Sequence, residues 1–248
     1  MNRIELIKGL FTRNSLSTYL EIGSCRGDSL FPIPAQTKIA VDPHFRIPLR
    51  KKLRWILSDP RNARIHYVRK ESERFFREDR QLLASSGPVD VCLVDGLHTF
   101  RAALRDVLDC LEVVREGGWI VMHDCLPPHA ASALPLDGFP DHGEMDRIPG
   151  WDGVWCGDVW KAVAYLRRHH SDVADVWVGD CDYGLGIVRP RGCRPSGRIE
   201  IDEGKFAQID RLQYAELQER KSEWLGLVSA TELERRVNAA VPPCSPAR

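Results

Sequence analysis

Residues 19–29 read YLEIGSCRGDS, a short apolar strand that runs into a glycine-containing turn, and residues 40–43 read AVDP. Glycine in such a turn lets backbone N–H groups approach a ligand closely. A carboxylate at the end of the next strand can accept hydrogen bonds from ribose hydroxyls. The two stretches therefore predict the first strands of an α/β sheet, with a site for a nucleoside-containing cofactor at their ends.

The spacing of the glycines narrows the kind of cofactor. A dinucleotide site needs Gly-x-Gly-x-x-Gly to hold a pyrophosphate, whereas this chain has Gly23 and Gly27 with Ser24 directly after the first glycine. Glu21 is expected to face the ligand. We therefore expect a zwitterionic ligand that carries no phosphate.

Four further stretches complete the pattern: VDGLHTF at residues 94–100, GGWIVMHDC at 117–125, GDVWK at 157–161 and DYGLG at 182–186. As a series they resemble class I S-adenosylmethionine (SAM) dependent methyltransferases. The closest resemblance is to the small methyltransferases of the domain 24 type, which often accompany sugar and glycan biosynthesis. The resemblance covers about residues 17–190.

The resemblance implies an α/β, Rossmann-like methyltransferase fold with a mostly parallel seven-stranded sheet and helices on both faces. The alternation of strand and helix patterns along the chain agrees with it. Two prolines, Pro32 and Pro34, limit the helix after the first strand to one or two turns at most.

Three units are expected along the chain: a SAM-binding domain over residues 1–198, a C-terminal helical extension over 199–240 and a disordered tail over 241–248. Residues 126–156 are rich in proline and glycine and directly follow the predicted catalytic strand. A long loop at this place is predicted to be a substrate lid rather than a passive insertion. The extension is predicted to cover the site or to form a homo-oligomer interface.

The resemblance also assigns cofactor contacts. Residues 23–27 would border the methionine part of SAM, Asp42 would bind the ribose and Ser72 would lie beside the adenine. Glu21 and Asp95 belong to the same set because they fall at strand ends. The alternatives are a plain tight turn for the glycines and an N-terminal helix cap for Ser72.

Two carboxylates suggest a metal site. Asp95 and Asp124 follow neighbouring parallel strands, which lie about 4.8 Å apart, so their side chains can converge. Mg²⁺ commonly takes only one or two carboxylates and completes its shell with water and substrate oxygens. Cys125 is a poor ligand for Mg²⁺, so a third ligand comes from elsewhere or the metal is absent.

Two histidines are candidates for the catalytic base. An alcohol must lose its proton as it attacks the sulfonium methyl, and an imidazole is a suitable acceptor. The resemblance places His98 at the active site, and the alternative is a structural histidine that caps the next helix. His123 is the second candidate, but neighbouring strand residues point to opposite faces, so it is expected to face away if Asp124 faces the site.

Candidate substrate contacts lie within the predicted lid and directly after it. Asp158 lies at the start of a helix, where it either caps the helix or holds a sugar hydroxyl. Trp151 and Trp155 either stack on a sugar ring or anchor the loop to the core.

Composition excludes several classes of protein. The 248 residues carry 35 basic and 35 acidic side chains, which gives no global field for nucleic acid. The basic stretch RIPLRKKLR at residues 46–54 is expected to be a solvated loop and helix start. Eight cysteines without a Cys-x-x-Cys pair, no signal segment and no apolar run of about 20 residues predict a soluble cytoplasmic protein without a membrane span.

The sequence therefore predicts a SAM-dependent O-methyltransferase for a small hydroxylated acceptor, such as a sugar or short glycan of the mannoside or rhamnoside kind, with Mg²⁺ assistance left open. Glu21, residues 23–27 and Asp42 would position SAM, His98 would remove the proton, and Asp95 with Asp124 would bind Mg²⁺ or orient the acceptor. Two other classes remain as alternatives: an NAD-dependent oxidoreductase and a non-catalytic SAM-binding scaffold protein.

Overall fold

The computed structural model describes residues 1–192 and 197–239. The tail predicted over residues 241–248 lies outside the described residues, as do Cys193 and Cys244, so the disorder of this tail stays a prediction.

The described residues form one eight-stranded sheet, which comprises β1 (Thr18–Ile22), β2 (Thr37–Val41), β3 (His66–Val68), β4 (Val89–Val94), β5 (Val114–Met122), β6 (Ala174–Asp180), β7 (Leu185–Pro190) and β8 (Val228–Ser229). The strand order is β3-β2-β1-β4-β5-β7-β6-β8. The first five strands are parallel, and β7 is antiparallel to β5 and β6. The Rossmann-like α/β fold is confirmed, with one short strand more than the seven expected because β8 pairs with β6 at the edge.

Helices connect the strands and cover the sheet. None of the helices in the described ranges has the length and hydropathy needed to cross a bilayer. The helices are α1 (Arg3–Arg13), α2 (Leu49–Ser58), α3 (Ser72–Glu78), α4 (Arg80–Ser85), α5 (Phe100–Val113), α6 (His142–Met145), α7 (Trp160–His169), α8 (Glu203–Asp210), α9 (Tyr214–Glu219), α10 (Lys221–Leu225) and α11 (Ala230–Asn238), with 3-10 turns at Pro60–Arg64 and Ala131–Ala133.

The first helix begins almost at the start of the chain because its N-terminus is capped on both sides. The Asn2 side chain accepts a hydrogen bond from the Glu5 amide at 3.0 Å, and the Glu5 carboxylate accepts one from the Asn2 amide at 2.9 Å. This reciprocal pair satisfies two backbone donors that a helix start otherwise leaves free. The cap fixes the position of Arg3, the first residue of α1.

The boundary between α5 and β5 differs from the sequence prediction. A glycine pair after an apolar helical pattern predicts the end of the helix at Gly117 and Gly118. In the structure α5 ends at Val113, and both glycines lie within β5. The register between β4 and β5 shifts at this point. A Cβ on Gly118 would lie 2.9 Å from the carbonyl oxygen of Asp90, so the irregular strand requires a residue without a side chain.

Side-chain alternation along the central strands divides the core into two layers. On β4, Cys92 packs with α5 and α7 on one face, whereas Val91 and Leu93 pack with α1 on the other. Every residue of β1 and β4 is buried, as expected for parallel strands that are covered on both faces. The carboxyl ends of these strands are therefore held rigidly.

The C-terminal helices complete both layers. Phe206, Leu217 and Leu225 belong to the cluster that contains α5, and Leu233 and Val237 belong to the cluster that contains α1. The buried apolar residues of this extension thus face the core of their own chain. Use of the extension as an oligomer interface stays a prediction, as do the domain limits.

Residues 126–156 are fastened to the domain by specific hydrogen bonds. The Ser132 carbonyl accepts from the amides of Cys156 and Gly157, both at 2.9 Å. The Trp155 indole donates to the Leu134 carbonyl at 2.9 Å. The segment is thus a folded loop with anchored ends, and its use as a substrate lid stays a prediction.

Leu225 at the end of α10 is fully buried. We expect Leu225→Ala to lower the free energy of unfolding by about 2–5 kcal/mol, because it removes buried methyl groups and leaves a cavity. Denaturant unfolding followed by circular dichroism measures the change. Leu57→Ala is the matched control, since Leu57 is 85% exposed, and it should change the free energy by less than about 0.5 kcal/mol. Equal values for the two variants would contradict the contribution of α10 to the core.

Candidate active site

The carboxyl ends of the parallel strands open into a cavity of about 1090 Å³. It lies where the strand order reverses between β1 and β4, the usual ligand position in an open α/β sheet. A smaller cavity of about 440 Å³ lies near the amino end of β4, away from these ends. The larger cavity is lined by these predicted site residues: Gly23, Asp42, Ser72, Asp95, His98, His123 and Asp124.

Gly23 sits at the closest contact between the loops that follow β1 and β4. Its φ is +87°, and a Cβ at this position would lie 1.9 Å from the carbonyl oxygen of Asp95. Gly27, at the other end of the turn, also has a positive φ, of +68°, and a Cβ there would lie 2.7 Å from the Phe31 ring. Both positions therefore require glycine. Gly23 lines the cavity, whereas Gly27 does not.

Asp42 organises the same turn. Its Oδ2 accepts a hydrogen bond from the Cys25 amide at 2.8 Å, and its Oδ1 accepts one from the His44 amide at 2.6 Å. A carboxylate oxygen can accept more than one hydrogen bond, so Asp42 can also bind a ligand hydroxyl. Cys25 itself has a positive φ of +33°, which is uncommon for a residue with a side chain.

Glu21 and Ser24 do not line the cavity. Both are buried, and the Tyr19 hydroxyl donates to Glu21 Oε2 at 2.6 Å. Burial raises the pKa of Glu21 to about 8, and the nearby charge of Asp95 acts in the same direction, while the hydrogen bond from Tyr19 opposes the shift. The expectation that Glu21 faces the ligand is therefore corrected, because its side chain is used inside the fold.

Three predicted residues form a compact cluster at the tips of β4 and β5. The ligand atoms of Asp95, His98 and Asp124 all lie within 4.8 Å of one another. His98 Nε2 is 3.4 Å from Asp124 Oδ2 and 3.8 Å from Asp95 Oδ1. Two carboxylates and one imidazole are a donor set that a divalent cation can use.

The protonation of His98 is set by its second ring nitrogen. His98 Nδ1 lies 2.9 Å from the carbonyl oxygen of Trp155. A carbonyl only accepts, so Nδ1 carries the hydrogen and the neutral ring has its lone pair on Nε2. This lone pair lies beside the carboxylates of Asp95 and Asp124.

His123 faces the cavity together with Asp124, contrary to the expectation from strand alternation. Asp124 has a φ of +60°, in the left-handed region, so regular alternation ends before it. The two side chains meet, with His123 Nδ1 donating to Asp124 Oδ2 at 2.9 Å. Strain of this kind in a residue other than glycine is found often at functional sites.

The charge of His123 is favoured by its neighbours. Burial lowers the pKa of its imidazole, but hydrogen bonds to Asp124, Asp182 and Asp95 outweigh burial and raise it. The guanidinium of Arg3 acts against a proton on His123 Nε2, because its Nη1 lies 3.0 Å from that nitrogen and a guanidinium can only donate. Because three carboxylates favour the charged ring and only one guanidinium opposes it, the net effect is a raised pKa of His123.

Arg3 and Asp182 belong to the site although sequence reasoning did not single them out. Arg3 Nε lies 3.4 Å from Asp95 Oδ2, and the Arg3 amide donates to Asp182 Oδ2 at 2.8 Å. Burial raises the pKa of Asp182, but the hydrogen bonds from His123 and Arg3 hold it well below its ordinary value. Asp182 lies in the DYGLG stretch that carried part of the resemblance, whereas nothing in the sequence marks Arg3.

The pKa of Asp95 reflects the same surroundings. Burial favours its neutral form, but the hydrogen bond from His123 and the charges of His123 and Arg3 hold the pKa below its ordinary value. The carboxylates at the cavity floor are thus compensated by two cations from distant parts of the chain, Arg3 of α1 and His123 after β5.

Ser72 faces the cavity beside a second residue that the sequence did not reveal. The helix cap position belongs to Glu71, so the alternative of Ser72 as the cap is wrong. The Ser72 hydroxyl bonds instead to Asp106, a buried carboxyl on α5 that lines the same cavity. Burial raises the pKa of Asp106 to about 7.

Asp158 and Trp155 support the site from outside the cavity. Asp158 Oδ1 accepts from the Phe100 amide at 2.6 Å, and its Oδ2 lies 3.4 Å from Lys161 Nζ. Asp158 therefore caps α5, a helix other than the one it precedes, which corrects its assignment to a sugar hydroxyl. Trp155 lies against His98 with 5.0 Å between ring centroids, and its indole N–H is used inside the loop.

Residues 20–125 match a family described as a methyltransferase domain. The curated proteins give no match.

Solved structures share the fold at low identity. A putative caffeoyl-CoA O-methyltransferase from Staphylococcus aureus has a TM-score of 0.51 at 12% identity, over 76% of this chain and 82% of that one. The cofactor-bound Rv0187 from MTB has a TM-score of 0.53 at 12% identity, over 78% and 82%. An O-methyltransferase family protein from Burkholderia thailandensis has a TM-score of 0.49 at 14% identity over 76% of this chain, which spans 55% of that protein's length.

The buried carboxyl of Glu21 makes stability depend on pH. The pKa of Glu21 is about 8 in the folded chain and near its ordinary value, about 4.3, in the unfolded chain. The folded state thus binds more protons between these pH values, and the stabilisation, complete below about pH 4, is lost as the pH rises through 8. We expect Glu21→Gln to remove this part of the slope, up to about 1.4 kcal/mol per pH unit.

Denaturant unfolding of the wild type and of Glu21→Gln, at about pH 5, 6, 7 and 8, measures how the free energy of unfolding of each protein changes with pH. Glu144→Gln is the control, since Glu144 is an exposed residue in α6. Parallel stability curves for the wild type and Glu21→Gln would contradict the assignment of the titrating group to Glu21.

Proposed function

We propose that this chain, of which residues 20–125 match a methyltransferase domain, transfers a methyl group from SAM to a hydroxyl group of a small acceptor. The observation that carries this proposal is the meeting of a glycine turn, Asp42 and the cluster of Asp95, His98 and Asp124 in one cavity. The putative O-methyltransferase from S. aureus with the same fold supports the oxygen acceptor.

The residues at one end of the cavity fit the parts of SAM. The Gly23 turn gives close backbone approach for the methionine part, and Asp42 has free acceptor capacity for ribose hydroxyls. Ser72 and Asp106 place a hydroxyl and a carboxyl where they can bind the exocyclic amine of adenine. The cavity volume of about 1090 Å³ exceeds the common range for a single small ligand, which leaves room for an acceptor.

SAM, when bound, supplies a methyl group on a positively charged sulfonium that is already reactive. The chain's own residues must then align the acceptor oxygen with the methyl group and accept the proton of the hydroxyl. His98 Nε2 is suited to this role because its lone pair faces the cavity cluster and its Nδ1–H is fixed by Trp155. Asp95 and Asp124 stabilise the imidazolium that forms.

Arg3 and His123 act on the carboxylates rather than on the acceptor. Each carboxylate of the cluster has a cationic neighbour: Arg3 beside Asp95, and His123 beside Asp124. These contacts fix the orientation of both carboxylates, and those to Asp95 lower its pKa. Arg3 and His123 are therefore proposed as positioning residues, and His123 as the second candidate for a proton acceptor is the weaker choice because the pKa of its imidazole is raised.

A divalent cation fits the same cluster. Asp95 and Asp124 would hold it, and it would lower the pKa of an acceptor hydroxyl. His98 Nε2 would be the third ligand that Cys125 cannot provide, although a nitrogen ligand suits transition metals better than Mg²⁺. One lone pair cannot serve both as a base and as a ligand, so the metal dependence of catalysis distinguishes the two roles of His98.

The acceptor class is the finer part of the proposal. Carboxylates at the cavity floor can accept hydrogen bonds from several hydroxyls, which agrees with a sugar or short glycan in polysaccharide biosynthesis. A cytoplasmic location belongs to the same proposal, because SAM and the proposed acceptor are both water-soluble small molecules.

Cofactor binding is tested by calorimetric titration with S-adenosylhomocysteine, with NAD as the competing cofactor. We expect S-adenosylhomocysteine to bind and NAD not to bind. Asp42→Asn should weaken the binding of S-adenosylhomocysteine by about ten-fold or more, because hydrogen bonds to a charged group are lost and the turn is loosened. Asp28→Asn is the matched control on the same loop, where the carboxylate is exposed and pairs with Lys51. Binding of NAD alone would instead support the oxidoreductase alternative.

Catalysis is tested with labelled SAM and a panel of hydroxylated sugars. We expect His98→Gln to lower kcat by about 100-fold or more while S-adenosylhomocysteine affinity is retained, since general base catalysis contributes about 10²–10⁴-fold. His66→Gln, which changes an exposed histidine on β3, should leave kcat unchanged.

The same assay with EDTA and with added Mg²⁺ or Mn²⁺ separates the roles of His98. Full wild-type activity in EDTA supports the base, and activity restored only by metal supports the ligand. Unchanged kcat in His98→Gln contradicts both roles. If no hydroxylated acceptor is methylated while S-adenosylhomocysteine still binds, the result would favour the non-catalytic scaffold.

A further inference from the structure

The helix α2 presents an apolar stripe to solvent. Leu49, Leu53 and Leu57 are 69%, 52% and 85% exposed, and their spacing of four residues places them along one side of the helix. α2 has no residue that is fully buried. Single exposed leucines are common on protein surfaces, but three in a row on one helix indicate an interaction surface.

Basic side chains run alongside this stripe. Arg50 and Arg54 are exposed, lie one turn apart and follow the leucines around the helix. Neither forms an ion pair within residues 1–192 and 197–239, and α2 contains no acidic residue. The surface formed by the three leucines and these two arginines, which we call the α2 face, therefore lacks an anionic partner, although the whole chain has a net charge of zero.

The opposite side of α2 is fixed to the domain, so the helix cannot turn its leucines inward. Trp55 stacks on the buried Phe31 ring with 6.1 Å between centroids, and its carbonyl accepts from the Asn62 side chain at 3.1 Å. Lys51 Nζ donates to the Arg26 carbonyl at 2.8 Å, and Lys52 lies over the Tyr67 ring at 4.3 Å. The α2 face is held outward by these contacts.

We propose that the α2 face docks on an anionic membrane surface. In this arrangement the leucines enter the boundary between headgroups and acyl chains, and the helix lies in the plane of the interface. The arginine stems reach along the apolar stripe while the guanidinium groups bind lipid phosphates. No spanning helix is needed for such peripheral binding.

Charge favours this occupant over the others. A second copy of the chain docked face to face would bring four unpaired arginines together, which like-charge repulsion opposes. Nucleic acid would use the arginines but leave the leucine stripe in water. Membranes with anionic lipids use both the apolar and the basic part of the α2 face.

The test is sedimentation of the full chain with vesicles of phosphatidylcholine alone or mixed with an equal amount of phosphatidylglycerol. We expect binding to the mixed vesicles only, with binding that weakens as salt is added. Leu53→Gln with Leu57→Gln, and separately Arg50→Gln with Arg54→Gln, should each lower the bound fraction at fixed lipid by about ten-fold.

Lys8→Gln with Arg211→Gln is the matched control, because both residues are exposed and the double variant also removes two positive charges. It should bind like the wild type, and unchanged melting temperatures of all variants exclude unfolding as the cause. No binding to the mixed vesicles, equal binding to neutral vesicles, or equal loss in the control overturns the proposal. A change of particle mass in the leucine variant without vesicle binding also overturns it, in favour of a protein partner.

Discussion

The contact between Gly23 and the carbonyl of Asp95 is the constraint on which the rest of the site depends. No side chain fits between the two loops, so β1 and β4 keep their spacing beyond their last paired residues. One more hydrogen bond then forms past each strand end, from Asp95 N to the Ile22 carbonyl at 3.0 Å and from His123 N to the Val94 carbonyl at 3.1 Å. The side chains at the tips are therefore positioned by the sheet and not by flexible loops.

Balance of charge is the second condition for this site. Asp95, Asp124 and Asp182 would repel one another if they were left alone in a buried cluster. Arg3 from the first helix and His123 at the end of β5 compensate them. Pairs of this kind add little to stability, because desolvation offsets the attraction, but they fix the orientation of the groups. The site is thus assembled from three parts of the chain that are distant in sequence.

Segments outside the sheet fix the position of His98 at the cavity. Trp155 fixes His98 through its carbonyl, and Asp158 caps the helix that begins two residues after His98. Gly157 lies so close to the His98 carbonyl that a Cβ there would be 1.7 Å away, and its φ of +62° also favours glycine. The loop over residues 126–156 and the strand ends at the cavity therefore form one packed unit.

The sequence by itself determined the order of strands and helices and the residues at the strand tips. Local patterns decide these features, because strand periodicity, glycine turns and charged strand ends all act over a few residues. These patterns placed Gly23, Asp42, Asp95 and Asp124 at strand ends, and the resemblance to the methyltransferases placed His98 at the active site. Only the tertiary structure decided which side chains surround them. Arg3 and Asp106 line the cavity, and Asp182 contacts Arg3 and His123, through packing between distant segments that no local pattern records. It also decided that Glu21 and Asp158 are used inside the fold. Burial of β1 encloses Glu21 together with Tyr19 of the same strand, and the Phe100 amide meets Asp158 only when distant segments pack.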